Sequence, residues 1–296
     1  MSDEIIEMAE SAINSDDFDL ARSYFPQIND ASRFFIESLI CIAEADVETA
    51  LSNIEKCITC VRSPKTRDPI LEARAKMIRG LTRTSIGEVT EGGADLRWAM
   101  DRLGAIANGS DNHGIAILNV AAWHRQQSET IMSLATHSEI ARESTHSAEI
   151  VAISRQRVAS IHSELEDYSS AIRHYWSSWK LSMSTGMYTL AEVTSLHIID
   201  LGLSDVNDLT QLLDEQVANA VPRPRSEKSD ASINSKDLLE VIQWITPRSI
   251  LNLNGTHRPD LSLIIEAHNI LRIDLPSELI NNKSLIQDLE VSKLLQ

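Results

Sequence analysis

Residues Ile150–Ser182, IVAISRQRVASIHSELEDYSSAIRHYWSSWKLS, carry the pattern that decides the fold. Apolar side chains recur at three- and four-residue spacing on either side of Glu166-Asp167-Tyr168, which predicts a helix, a break and a second helix. In the first helix Val158 and Ala159 form a large and small pair, with His162 at the next inward position. In the second, Asp167-Tyr168-Ser169-Ser170-Ala171 leads to Tyr175 one turn further on. A side chain as small as Ala171 lets two helix axes come close, while Tyr168 and Tyr175 fill the flanking grooves.

This arrangement resembles the tetratricopeptide (TPR) motif, in which a large side chain of one helix lies over a small one of the next. The resemblance implies an all-α fold: a right-handed superhelix of stacked antiparallel helical hairpins, a TPR-like α-solenoid, with a short helical C-terminal segment. Weaker copies flank the clear one. Met8-Ala9, Ala12, Asp17-Phe18, Ala21 and Phe25 occupy the same offsets, as do Asp46-Val47 with Ala50 and Ile54. A third copy runs through Ile86-Gly87, Asp95-Leu96, Ala99 and Leu103, and a fourth through Val120-Ala121, His124 and Ser133, with His137 in the place of the aromatic. A sixth hairpin is expected over Leu196 to Leu213, where Asp205-Val206 fits and Leu209 replaces the small residue. Taken in order, the small positions are Ala21, Ala50, Ala99, Ser133, Ala171 and Leu209. Their spacing departs from the ~34 residues of a uniform array, so some helices or loops are longer, with a pause at Ser63-Pro64 and Asp68-Pro69.

The repeat pattern spans residues 1–218. Residues 219–234 read as a linker, since Val221-Pro222-Arg223-Pro224-Arg225 and the polar run after it lack apolar periodicity. Residues 235–296 show two helical stripes, Leu238, Leu239, Ile242 and Ile245, then Leu261, Ile264, Ile265, His268 and Leu271. A segment of about 60 residues is marginal for a core of its own, which predicts a cap docked on the last hairpin. Arg248-Ser249-Ile250-Leu251-Asn252-Leu253-Asn254 reads as a short extended piece ending in the turn signal Asn254-Gly255.

Charge narrows the function. The 296 residues hold 27 Lys and Arg against 43 Asp and Glu, a net of −16, and such a surface repels phosphate backbones, so no nucleic-acid partner is expected. Residues 1–60 contain thirteen acids and only Arg22, Arg33 and Lys56, a net of −10. That excess reads either as a dock for a basic partner or as a solvated face. Three cysteines, Cys41, Cys57 and Cys60, are too few for a disulfide framework and indicate a reducing compartment. The start, Met1-Ser2-Asp3-Glu4, lacks a basic leader, and no apolar run reaches the ~18 residues of a membrane span, so a cytoplasmic protein without a membrane partner is expected.

Signals for chemistry are sparse. Cys57-x-x-Cys60 lies within the helical run Ala50 to Val61 without a preceding strand, which favours packing over redox or metal roles. No histidine belongs to an H-E-x-x-H pair, and His124, His137 and His162 fall on packing positions. There is no phosphate loop and no nucleophile elbow, and Gly92-Gly93 reads as a break between helices. Tyr175, Trp176 and Trp179 serve as core wedges or as a partner pocket. No catalytic residue, cofactor or metal site is predicted.

Stacked hairpins curve, and the first helices line the concave side, so a protein or peptide partner is expected there. In this register the partner-binding candidates are Leu118 and Arg125, with Ile115 and Ala122, and Gln156, Ser160, Ser163 and Glu164, with Ile153. Family members that clamp a C-terminal carboxylate do so with lysines and asparagines, which this chain lacks at those positions. A noncatalytic scaffold is the first expectation, a ligand-controlled scaffold gated by residues 235–296 the second, and an enzyme with an unrecognised site the third. Oligomeric state is left open by the sequence.

Overall fold

The computed structural model describes residues 2–140, 145–204, 206–207, 211–219, 233–251, 261–277 and 280. Their contacts form two compact units, Met1–His146 and Ser147–Gln296, a boundary that falls inside the stretch 1–218. The first unit contains α1 (Ser2–Asn14), α2 (Phe18–Ser23), a 3-10 turn at Phe25–Gln27, α3 (Asp30–Ala43), α4 (Val47–Arg62), α5 (Pro69–Ser85), α6 (Val89–Ile106), α7 (Asp111–Gln126) and α8 (Thr130–His137). The second contains α9 (Ala148–Glu164), α10 (Tyr168–Thr185), α11 (Tyr188–Ser204), β1 (Val206–Asn207), α12 (Leu213–Ala218), β2 (Ile233–Asn234), α13 (Ser235–Leu251) and α14 (Leu261–Ile270).

Among the described residues one turn with an acid in it recurs five times. Each first helix ends in a residue with left-handed backbone, Asp16, Ala45, Gly87, Ser128 and Glu166, at φ of 57°, 61°, 91°, 60° and 59°. The next residue is an acid, Asp17, Asp46, Glu88, Glu129 or Asp167, whose N–H donates back to the carbonyl five residues earlier at 2.8 to 2.9 Å. That bond satisfies a carbonyl which the helix end would otherwise leave unpaired. Three of the acids then cap the second helix: Asp17, Asp46 and Asp167 accept from the N–H of Leu20, Thr49 and Ser170 at 3.0, 3.1 and 3.2 Å.

Four residues after each acid comes a small buried residue: Ala21, Ala50, Gly92, Ser133 and Ala171. Here the structure corrects the third copy, which the sequence pattern centres on Ala99. The cap is Glu88 and the small residue Gly92, because Gly92-Gly93 lies inside α6 instead of breaking it. A Cβ on Gly92 would stand 2.7 Å from the Gly80 carbonyl of α5, and one on Gly93 would stand 2.4 Å from the Trp123 ring of α7. These glycines are contact points between helices.

Two further expectations differ from the structure. Leu196 to Leu213 is not a hairpin: α11 runs unbroken to Ser204, and Val206–Asn207 then pairs in parallel with Ile233–Asn234. Asp205 and Leu209 lie outside the described residues, as do most of the 219–234 linker and Asn252-Leu253-Asn254. Arg248 to Leu251 is the last turn of α13 and not an extended piece. Ile242, Ile245 and Ser249 are buried at helical spacing, so packing overrides local β-propensity.

In the first unit α1, α3, α5 and α7 pack in succession, each with its own second helix beside it. Phe35, Ile36, Ile40, Ile54 and Ile58 anchor one cluster there, and Leu96, Leu103, Ala116 and Val120 another. An ion network ties α4, α5 and α6: the Arg79 guanidinium grips buried Asp95 through two bonds of 2.7 and 2.6 Å and reaches Glu55 at 2.6 Å, while Arg83 donates to Asp95 at 2.9 Å. In the second unit Trp176, Trp179, Ile198 and Ile199 share one core with Leu238, Val241, Ile242, Ile245 and Ile264. The helices α13 and α14 are thus part of that core.

Gly80→Ala tests the helix contact with an inverted sign. An alanine in a helix interior usually stabilises relative to glycine by about 0.5–1 kcal/mol. Here the new Cβ meets the Gly92 carbonyl at 2.8 Å, so urea unfolding should show a loss of about 1–3 kcal/mol. A Gly80→Ala protein as stable as the parent would mean that α5 and α6 do not meet there.

Candidate functional site

The recurring turn sets a common register, since residues the same distance ahead of it share one face of their helix. Six residues ahead of Asp16, Ala45, Gly87 and Ser128 stand Glu10, Leu39, Leu81 and Ala122, and three ahead stand Ile13, Ile42, Thr84 and Arg125. Thirteen ahead on α5 and α7 stand Arg74 and Ile115, and seventeen ahead on α5 stands Ile70. Most of this stripe is apolar, yet Ile42, Ile70, Leu81 and Ile115 are 38, 41, 39 and 39% exposed. Because α3, α5 and α7 pack in succession, the four residues lie on one side of three neighbouring helices. An ion pair between Arg74 and Glu10 at 2.5 Å crosses from α5 to α1, and the Arg74 guanidinium also lies 4.8 Å over the Phe35 ring.

The residues singled out by sequence distribute unevenly. Ile115 and Ala122 belong to the face, and Arg125 flanks it, half-exposed, donating to the Thr130 hydroxyl at 3.4 Å. Leu118, ten ahead of its turn, lies on the same stripe by helical rotation but is only 5% exposed, as Phe35 and Met77 at that position are also buried, so the stripe is covered at that level. Gln156, Ser160 and Ser163 are half-buried on α9 and Glu164 is exposed, so they lie in the second unit. Ile42, Ile70 and Leu81 went unnoticed because apolar residues on a helix read as core. Their distance from the turn is the signal that finds them.

In the second unit the matching stripe is mostly polar, with half-buried Ile153 as its apolar member. The Ser160 hydroxyl of α9 bonds that of Tyr175 on α10, and the Tyr175 ring stacks on His197 of α11 at 4.9 Å. His162 and His174 stack at 5.4 Å, and Asp167 lies 3.2 Å from the His162 ring. Burial holds all three histidines below their usual range, His174 down to about 3 with Arg155, His162 and Arg173 adding to the effect. Burial also pushes the Tyr175 phenol up to about 12. At neutral pH the row is therefore uncharged and holds no activated base or nucleophile.

The cysteines are equally quiet. Cys57 is fully buried in α4 and its thiol is pushed up to about 12, chiefly by burial, so it packs as a small apolar group. No cluster of three or more His, Cys, Asp or Glu that could hold a metal occurs among the described residues. No described helix is long and apolar enough to cross a membrane.

No family model matches the chain, and no curated protein matches it in sequence. Among solved structures it is similar to the apo form of RapI, with a TM-score of 0.53 at 11% identity over 94% of this chain and 78% of that one. BtubC (BKLC) from P. vanneervenii gives a TM-score of 0.45 at 12% identity over 77% of this chain and 94% of its own. The chain has a TPR-like, all-α helical-repeat fold.

The histidine row predicts acid sensitivity. A histidine kept neutral in the fold takes no proton as pH drops below 6.5 while the unfolded chain does, so stability falls from pH 6.5 down toward the depressed folded value, about 3 for His174. Each such group steepens the slope toward about 1.4 kcal/mol per pH unit. Urea unfolding between about pH 7.5 and 5 should show this loss, and His174→Gln should flatten it. An unchanged slope in the variant would mean that His174 titrates freely in the folded protein.

Proposed function

We propose that this chain is a noncatalytic scaffold that holds a segment of a partner protein against the first helices of its first unit. The observation that carries the reading is that Ile42, Ile70, Leu81 and Ile115, on one side of three packed helices, each keep about two-fifths of their surface exposed. Side chains already more than half-buried have roughly 0.5–1 kcal/mol each left to gain from full burial. Four of them therefore supply about 2–4 kcal/mol toward a modest, reversible contact. The uncharged histidine row, the raised Tyr175 and Cys57, and the lack of a metal-binding cluster among the described residues support binding over catalysis.

Control of the face by residues 235–296 is the less favoured reading. Leu238, Val241, Ile242, Ile245, Ile264 and Ala267 are fully buried with Trp176 and Trp179, and re-exposing each large apolar side chain costs about 1.5–3 kcal/mol. An open form would be very sparsely populated. Three free cysteines, two of them buried, fit a reducing, cytoplasmic setting, and the net charge of −16 weighs against a nucleic-acid partner.

Selection from a displayed random peptide library tests the reading. The parent protein should enrich apolar peptides, and Leu81→Asp should weaken their binding by about tenfold or more, roughly 1.4 kcal/mol, in a variant that melts somewhat lower but stays fully helical at the assay temperature. Enriched peptides that bind Leu81→Asp as well as the parent would place the contact elsewhere. Truncation after residue 234 should lower solubility and leave peptide affinity no tighter. A soluble, folded truncation that binds more tightly would restore the gated reading.

A further inference from the structure

We infer that the segment held on this face is apolar along its length and basic at the end lying over α1 to α4. The inference rests on the preceding reading of the face. Residues 1–60 hold thirteen acids and three bases, a net of −10, whereas residues 61–146 hold ten acids and eleven bases, a net of +1. The stripe therefore starts on α1 and α3, helices of a strongly acidic stretch, and ends on α7, in a balanced one.

Internal pairing removes only part of that excess. Arg22 bridges Glu37 and Glu44 at 3.3 Å each, and Arg33 meets Asp30 at 3.1 Å. These cations are already counted within residues 1–60. From beyond residue 60, Arg74 pairs with Glu10, and Arg79 and Arg83, which also hold Asp95, reach Glu55. Glu7, one turn from Glu10 on α1, Asp19 on α2 and Glu48 on α4 are all exposed. At the far end the register position of Ile42 is filled by Arg125.

An apolar contact holds a segment but leaves its direction free, because burial is not directional. A potential that differs between the two ends of the stripe fixes the direction and speeds encounter. A cationic residue over α1 to α4 gains attraction there and loses it at α7, so the basic end is set over the acidic helices. The same charge asymmetry disfavours acidic segments and any phosphate-bearing polymer.

Synthetic helical peptides of about 16 residues with one leucine stripe test this. One carries lysines at one end, the other glutamates in their place, and binding to the full chain is followed by fluorescence anisotropy. At about 50 mM salt the lysine peptide should bind about tenfold more tightly, and the difference should shrink at about 300 mM. Glu7→Lys with Asp19→Lys should narrow the preference, whereas the equal charge change Glu91→Lys with Asp101→Lys, on α6, should leave most of it. Equal narrowing by both pairs would overturn the assigned position. Equal affinity for the two peptides, with both weakened by Leu81→Asp, would overturn the basic preference and leave the apolar face standing. A lysine peptide that binds Leu81→Asp undiminished, or no binding of either peptide to the parent, would overturn both.

Discussion

The fold depends on one backbone constraint, repeated: a left-handed residue followed by an acid whose amide reaches back five residues into the helix just completed. The bond from Asp46 N to Cys41 O, 2.8 Å long, is typical of the five. It ends the first helix and closes its carbonyls, while the acid that donates it begins the second helix. Direction reverses within a few residues, and the small side chain that follows is brought against the first helix at a fixed distance along the chain. Left-handed backbone in residues such as Ala45 and Ser128 is disfavoured by about 1–2 kcal/mol, so these turns persist because packing on both sides over-determines them.

From that constraint the candidate face follows without further assumption. Equal turns put equal positions of α1, α3, α5 and α7 on one side, and the sequence then decides what that side is. On α3, α5 and α7 it is Ile42, Leu81 and Ile115, apolar and partly uncovered. On α9 it is Gln156, Ser160 and Ser163, with Ser160 already bonded to Tyr175. The same architecture thus carries two surfaces of different chemistry, the first mostly apolar and the second mostly polar with Ile153 as its apolar member.

The legible parts of the sequence were those where chemistry is local. Ala50 and Ala171 are found because an acid stands four residues before each and an apolar residue four after, a pattern that one helix start imposes. Gly92 is missed because its reason is distant: two adjacent glycines look like a break until the Gly80 carbonyl is seen 2.7 Å from where a Cβ would lie. Arg248 to Leu251 looks extended from its side chains and is helical because Ile245 and Ser249 are buried at helical spacing. At the site, Ile115, Ala122 and Arg125 are legible from the register, whereas Leu118 shares that stripe and is buried within it. Ile42, Ile70 and Leu81 could not be told from core residues without knowing which helices leave that side open.

The turn is directly accessible to measurement through amide hydrogen exchange resolved at single residues. The amides of Asp46, Glu88, Glu129 and Asp167 donate to carbonyls five residues back at 2.8 to 2.9 Å, so all four should exchange far more slowly than in an unstructured peptide and in step with the helices they join. Free exchange at those four amides, beside protected amides in the middle of α3, α5, α7 and α9, would leave the helices without the turn that sets their register and would contradict the account.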